Sequence, residues 1–204
     1  MKNAFDESDQ LVQDLLPILE LPLIDAVRVR VADTACSLSL EHWHAVRALL
    51  ELGLLPSALV VHRAQFEALV RSLWLTFAAR DEDVAKLNAT LDLESEQAAK
   101  NMPTVPLMMQ SIKEKAPANA YAALNQFKEH NWKALNSYTH AGIHPLRRHA
   151  DGYPTGLIHS VLCNANGVGV MSCMQAVALS GAQPLQKQVI EIASRYPHCM
   201  PAPL

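Results

Sequence analysis

From Gly152 to Gln186 the chain carries no Asp, Glu, Lys or Arg. Few environments accept so long an uncharged run. It is long enough to span a bilayer. Yet it contains His159, Asn164, Asn166, Ser172 and Gln175, with Gly167 and Gly169, and no Lys/Arg cluster flanks it closely on both sides. A buried central helix over about Leu157–Leu179 accounts for it better than a membrane span. Such a helix needs cover on most sides, and the rest of the chain must supply it.

The remaining sequence suits that task. Half of the 204 residues are hydrophobic, but only 5% are aromatic and only 7 are Gly. Leu and Ala, which lose little side-chain entropy in a helix, dominate. A sandwich or barrel needs more turn chemistry than this. The expectation is an all-α fold: one helical domain over 1–204, packed as an antiparallel bundle.

Periodicity and breakers divide the chain. Asp9–Leu19 reads as a short helix ended by Pro22, and a long helix runs from about Ile24 to Leu52, with a kink at Ser37–Ser39 and Gly53 as its stop. Pro56 opens the next helix, to about Ala79, on which Leu59, Phe66, Val70, Leu73 and Phe77 make one face. A short helix follows from Asp81 through Val84, Leu87 and Leu91. Residues 101–106, with Pro103 and Pro106, read as a flexible loop. Pro117 and Asn119 launch a helix to about His140, stopped by Gly142 and Pro145. Pro145–Pro154 is expected to be a loop, Leu185–Arg195 a last amphipathic helix, and the proline-rich tail 197–204 loose.

Net charge is −3 and the pI about 6.3, against a globally basic nucleic-acid binder; no DNA partner is expected. None of Cys36, Cys163, Cys173 and Cys199 forms a C-x-x-C pair, and the first residues are polar and acidic rather than a signal peptide. A cytoplasmic setting is expected, with no membrane, no cofactor and no metal. No H-E-x-x-H, E-x-x-H, P-loop, G-x-G-x-x-G or G-x-S-x-G motif is present.

Candidate functional residues are those that break the apolar pattern. Arg63 falls inside the apolar face of its helix, between Val70 and Trp74, with Glu67 and Arg71 at its edge. It reads as a structural ion pair with Glu67, its stem reaching to the rim, or as a preset cation for phosphate. Asn131 and Tyr138 share a face of a later helix and need hydrogen-bond partners, which Arg63 or Glu67 are placed to supply. The densest titratable segment holds His140, His144, Arg147, Arg148 and His149. Histidine moves protons near neutral pH and arginine holds phosphate. The plainer reading is a solvated basic loop with histidines capping a helix.

The segments Ser57–Arg71 and Leu135–Gly142, followed by Arg147 and Arg148, together resemble a group of bacterial helical proteins often discussed as similar to HEPN domains. That resemblance covers about Pro56 to Arg148 and implies a helical bundle that commonly dimerises. It also implies a setting in bacterial defence or toxin–antitoxin systems, where HEPN proteins include metal-independent ribonucleases. Their usual motif is an Arg followed a little over one helical turn later by a His. Here the order differs: His140 precedes Arg147 and Arg148.

Three functional readings follow. The first is a non-catalytic interaction module that forms a homodimer and binds an RNA or protein partner. The second is a metal-independent ribonuclease with His140 and Arg148 as catalytic residues, His140 as general acid or base, Arg147 and Arg148 holding phosphate and Arg63 with Glu67 shaping the cleft; Arg71 and His144 are further binding candidates. The third is a small-molecule pocket between helices around Asn131 and Tyr138.

Overall fold

The computed structural model describes residues 2–202 and is helical throughout its regular structure. Its elements are α1 (Lys2–Leu19), α2 (Val27–Glu51), α3 (Leu55–Phe77), α4 (Asp81–Asn88), α5 (Leu93–Ala99), α6 (Val105–Lys115), α7 (Ala118–Thr139), α8 (Ile143–Asp151), α9 (Thr155–Leu179) and α10 (Leu185–Ala193).

α2 and α3 form an antiparallel hairpin across a short turn. Its register is fixed by Arg28 Nη1 donating to Leu75 O at 2.6 Å, Ser72 Oγ to Ala32 O at 2.8 Å and Ser39 Oγ to Gln65 O at 2.9 Å. The uncharged α9 lies in the groove of this hairpin, as its composition requires. It runs antiparallel to α2, with Ser39 facing Ser172 and Trp43 facing Asn166. It runs parallel to α3, with Gln65 donating to Ala165 O and Gln175 to Ser72 and Thr76. α1 and α10 cover its other side. By length and composition α9 could cross a membrane, but 56% of its most apolar window is buried inside the protein.

A ladder of small polar groups thus runs through an otherwise apolar core. Each buried hydroxyl or amide in it finds a partner, which removes the cost of desolvation. His62 is the exception. It is 1% exposed; Nδ1 lies 2.8 Å from Gln65 Oε1, while Nε2 has no partner among the described residues. Burial lowers its pKa to about 4, so the ring is neutral at physiological pH.

Several expectations are revised. α2 is continuous helix through Ser37–Ser39, where the Ser39 hydroxyl bonds across to α3 and α9 rather than back along its own helix. α1 begins at Lys2, since Ala4 and Ser8 are already buried against the core. α4 ends at Asn88, and Leu91 is exposed; α5 is a separate helix opened by an Asp92–Ser95 capping box. The loop at 101–106 is shorter than expected: Pro106 lies in the first turn of α6, whose Met108, Met109 and Ile112 are buried. Pro145 does not end helical structure but stands in the first turn of α8, where its missing N–H costs nothing, so Pro145–Pro154 is mostly helix.

The C-terminal tail is also docked rather than loose over its described part. Tyr196 donates to Asp14 at 2.6 Å, and that bond holds the Asp14 carboxyl below its usual range. His198 Nδ1 lies 2.7 Å from Glu7 Oε1, and Cys199, fully buried, accepts at its carbonyl from Asn166 Nδ2 at 2.8 Å. Residues 203–204 lie outside the described residues.

Candidate functional site

Two separate places on α7 gather the polar residues singled out from the sequence. The first is the corner where the end of α7 meets α3. Arg63 is held on three sides: its Nε donates to Glu67 Oε1 at 2.9 Å, its guanidinium lies over the Trp132 ring at 5.0 Å, and Nη1 is 3.4 Å from His140 Nε2. The Arg63 side chain is 19% exposed, against 38% for Glu67. The arginine stem is therefore packed while its head reaches the rim, with one Nη free of protein partners among the described residues. A guanidinium only donates, so this contact places the lone pair of the His140 ring on Nε2.

His140 caps α7 and is exposed. Beyond it, Ala141 takes a positive φ of 49° and Gly142 packs on Ser137, whose hydroxyl accepts from the His144 backbone N–H at 3.2 Å. This tight turn delivers α8 to the same corner. No residue of α8 is buried: Ile143 is 70% exposed and Leu146 64%. Arg147 pairs with Asp151 at 3.0 Å. His144 and Arg148 have no side-chain partner among the described residues, and His149 Nδ1 lies 3.3 Å from the Tyr153 hydroxyl. Tyr138 is buried beneath; burial, then Tyr153, pushes its phenol up, and Arg148 opposes them.

The second place is on the other side of α7. Asn131 does not bond to Arg63 or Glu67, because it faces α9. Its Nδ2 donates to Phe127 O at 3.0 Å, and its Oδ1 accepts from Asn164 Nδ2 at 3.0 Å. This amide bridge crosses a groove of about 710 Å³ between α7 and α9, closed at one end by Met200 and Pro201 of the tail. The same groove holds His130, His159 and Cys163. His159 Nε2 is tied to His198 O at 2.8 Å, and Cys163 Sγ lies 3.7 Å from it. Burial raises the Cys163 thiol, so proximity to histidine does not make it a thiolate. All four cysteines are free and buried. Among the described residues no group of three or more His, Cys, Asp or Glu is arranged to hold a metal ion.

The structure thus joins Arg63, Glu67 and His140, and sets Arg147, Arg148 and His144 on the adjoining helix. Asn131 belongs to a different site, and Arg71 is half-buried with no ion pair among the described residues. Asn164, His159 and Cys163 are not among the residues that the sequence pattern singles out as a site. Their signal is polar groups on one flank of an uncharged helix, with His159 and Cys163 four residues apart.

A search of curated proteins and a search of solved structures each found no match. Residues 36–202 match the model of a family described as a family of unknown function (DUF6988), and by that extent the chain belongs to this family.

Proposed function

We propose that this chain is a helical interaction module that pairs with a second copy of itself through α8. One observation carries the reading: α8 is a nine-residue helix with no buried residue, and it presents Ile143 and Leu146 to solvent. So short a helix gains little stability from its own hydrogen bonds. Ile143, Leu146 and Ala150 form one strip, with the Arg147–Asp151 pair along its edge. In a two-fold pairing of such strips the apolar residues bury one another, and Arg147 and Asp151 exchange partners between copies. The resemblance of the segments Ser57–Arg71 and Leu135–Gly142 to HEPN-like proteins, which commonly dimerise, is in keeping with the same reading and with a defence or toxin–antitoxin setting. The test is sedimentation equilibrium of the wild type beside the double variant Ile143→Glu, Leu146→Glu. A dimeric wild type and a monomeric variant of unchanged helical content are expected; a monomeric wild type at micromolar concentration overturns the proposal.

A second reading rests on a different observation, the 3.4 Å approach of Arg63 Nη1 to His140 Nε2. It is metal-independent RNA cleavage. His140 takes the proton of a 2′-hydroxyl as that oxygen attacks phosphorus, with Arg63 and Arg148 holding the phosphate oxygens. The phosphorus–O5′ bond breaks and the proton passes to the leaving oxygen, giving 2′,3′-cyclic phosphate and 5′-hydroxyl ends. Purified protein with total bacterial RNA and EDTA tests it: ends of that chemistry, lost in His140→Ala, support it, and intact RNA rejects it.

A further inference from the structure

The α7–α9 groove has no part in either reading, and its lining is unlike the rest of the surface. None of its lining residues is Asp, Glu, Lys or Arg. The outer face of α7 nevertheless carries Lys128, Glu129 and Lys133. The walls are apolar and adaptable: Phe127 and Ala123 from α7, Val168 and Met171 from α9, Met200 and Pro201 from the tail. Methionine fills irregular space against aromatic partners and tolerates varied shapes. At about 710 Å³ the groove falls within the range of small-molecule sites.

The fold builds this groove deliberately. A Cβ on Gly167 would stand 2.9 Å from Pro201 Cγ, so a side chain at position 167 would force the tail to shift against α9. The tail is held there by Asn166, His159 and Glu7.

The amide bridge sets the polar edge. Asn131 must turn its Nδ2 toward the Phe127 carbonyl, which leaves Oδ1 facing Asn164. Asn164 must then turn its own Nδ2 toward Asn131, so its Oδ1 points away and has no partner among the described residues. The half-buried Asn164 keeps a free acceptor and a second N–H in the lining of a largely apolar groove that holds no Asp, Glu, Lys or Arg. A carboxylate or ammonium entering it would lose hydration and meet no Asp, Glu, Lys or Arg, and the two histidines of the lining, His130 and His159, each already spend one ring nitrogen on a backbone carbonyl. An amide-like edge on a flat ring would satisfy both free groups of Asn164 while its faces met Phe127 and the methionines.

We infer that the α7–α9 groove is a binding site for an uncharged, planar aromatic or heteroaromatic compound bearing an amide-like donor–acceptor edge, read by Asn164. The test uses benzamide and its charged isostere benzoate as probes. Binding to the full chain is followed by NMR of methyl-labelled methionine. Met171 and Met200 line the groove; Met108 and Met109, buried in α6, report on the fold. Benzamide is expected to shift the Met171 and Met200 methyls saturably, with benzoate about tenfold weaker or more. Asn164→Ala is expected to weaken benzamide about five- to tenfold, the net worth of one hydrogen bond. Ser160→Trp, at an exposed position on the rim, is expected to block binding by bulk with the α6 methyls unmoved. Absence of a saturable shift, equal binding of benzoate, or benzamide binding unchanged in both variants overturns the proposal.

Discussion

The indole of Trp43 on α2 occupies the space that a side chain at Gly169 on α9 would need. Trp43 has no room to retreat. It is 4% exposed and its Nε1 donates to Asn166 Oδ1 at 2.9 Å. Overpacking of a closed core costs about 1–3 kcal/mol, so Gly169→Val should destabilise by about 3 kcal/mol, read as a lower urea midpoint. Trimming the obstacle in the double variant Trp43→Leu, Gly169→Val should recover part of the loss. Additive losses would show that the two residues do not limit each other.

His62 gives the protein a pH dependence of definite sign. Its pKa is lowered to about 4 by burial, from about 6.5 in an unfolded chain. Between these values the unfolded state binds more protons than the folded one, so stability rises with pH. The contribution is complete above pH 6.5 and is lost as pH falls toward 4, with a ceiling of about 3 kcal/mol. Urea midpoints from pH 7 to pH 4.5 should therefore fall more steeply in the wild type than in His62→Gln. Parallel slopes would remove His62 from the acid response.

The helical fold was legible because its largest constraints are compositional and periodic. The uncharged α9 had to be wrapped, and the Leu59–Phe66–Val70–Leu73 face of α3 had to pack. Two of the revised boundaries share one physical cause. Pro106 and Pro145 were read as breakers, yet each sits in a first turn where a missing N–H is harmless. Arg63 is visible in the sequence as a polar residue within an apolar face, and His140 as part of the densest titratable segment. Their approach depends on the antiparallel register of α3 and α7, which no local signal encodes. Asn131 was assigned to the wrong neighbour for the same reason: its partner, Asn164, is on a helix whose direction only the folded chain reveals.

Asn166 ties three elements together. Its Oδ1 accepts from Ser8 at 3.0 Å and from Trp43, and its Nδ2 donates to Cys199 O at 2.8 Å. Asn166→Ala leaves these buried partners unsatisfied, at about 1–3 kcal/mol for each that stays dry. The tail should detach first, because it has the least other support. Cys199, a thiol that burial pushes up to about 12, would then become accessible. The expected result is one additional fast-reacting thiol with a disulfide reagent under native conditions; unchanged thiol kinetics would mean the tail holds without Asn166.

Arg63 is fixed by Glu67 on one side and by the Trp132 ring on the other. The ion pair is partly exposed and contributes only about 0.3–0.5 kcal/mol as an i,i+4 pair. Stacking of a guanidinium on indole adds about 0.5–1 kcal/mol at such a site. A lysine keeps the charge but has neither the flat face nor the fork. Arg63→Lys should therefore cost about 1 kcal/mol in stability, despite its conserved charge. A cycle combining Arg63→Gln with Trp132→Leu should return a coupling of about 0.5–1 kcal/mol. Zero coupling would mean the two groups are adjacent without interacting. The orientation of Arg63 toward His140 would then rest on Glu67 alone, and Glu67→Gln would be the variant that disorders the corner.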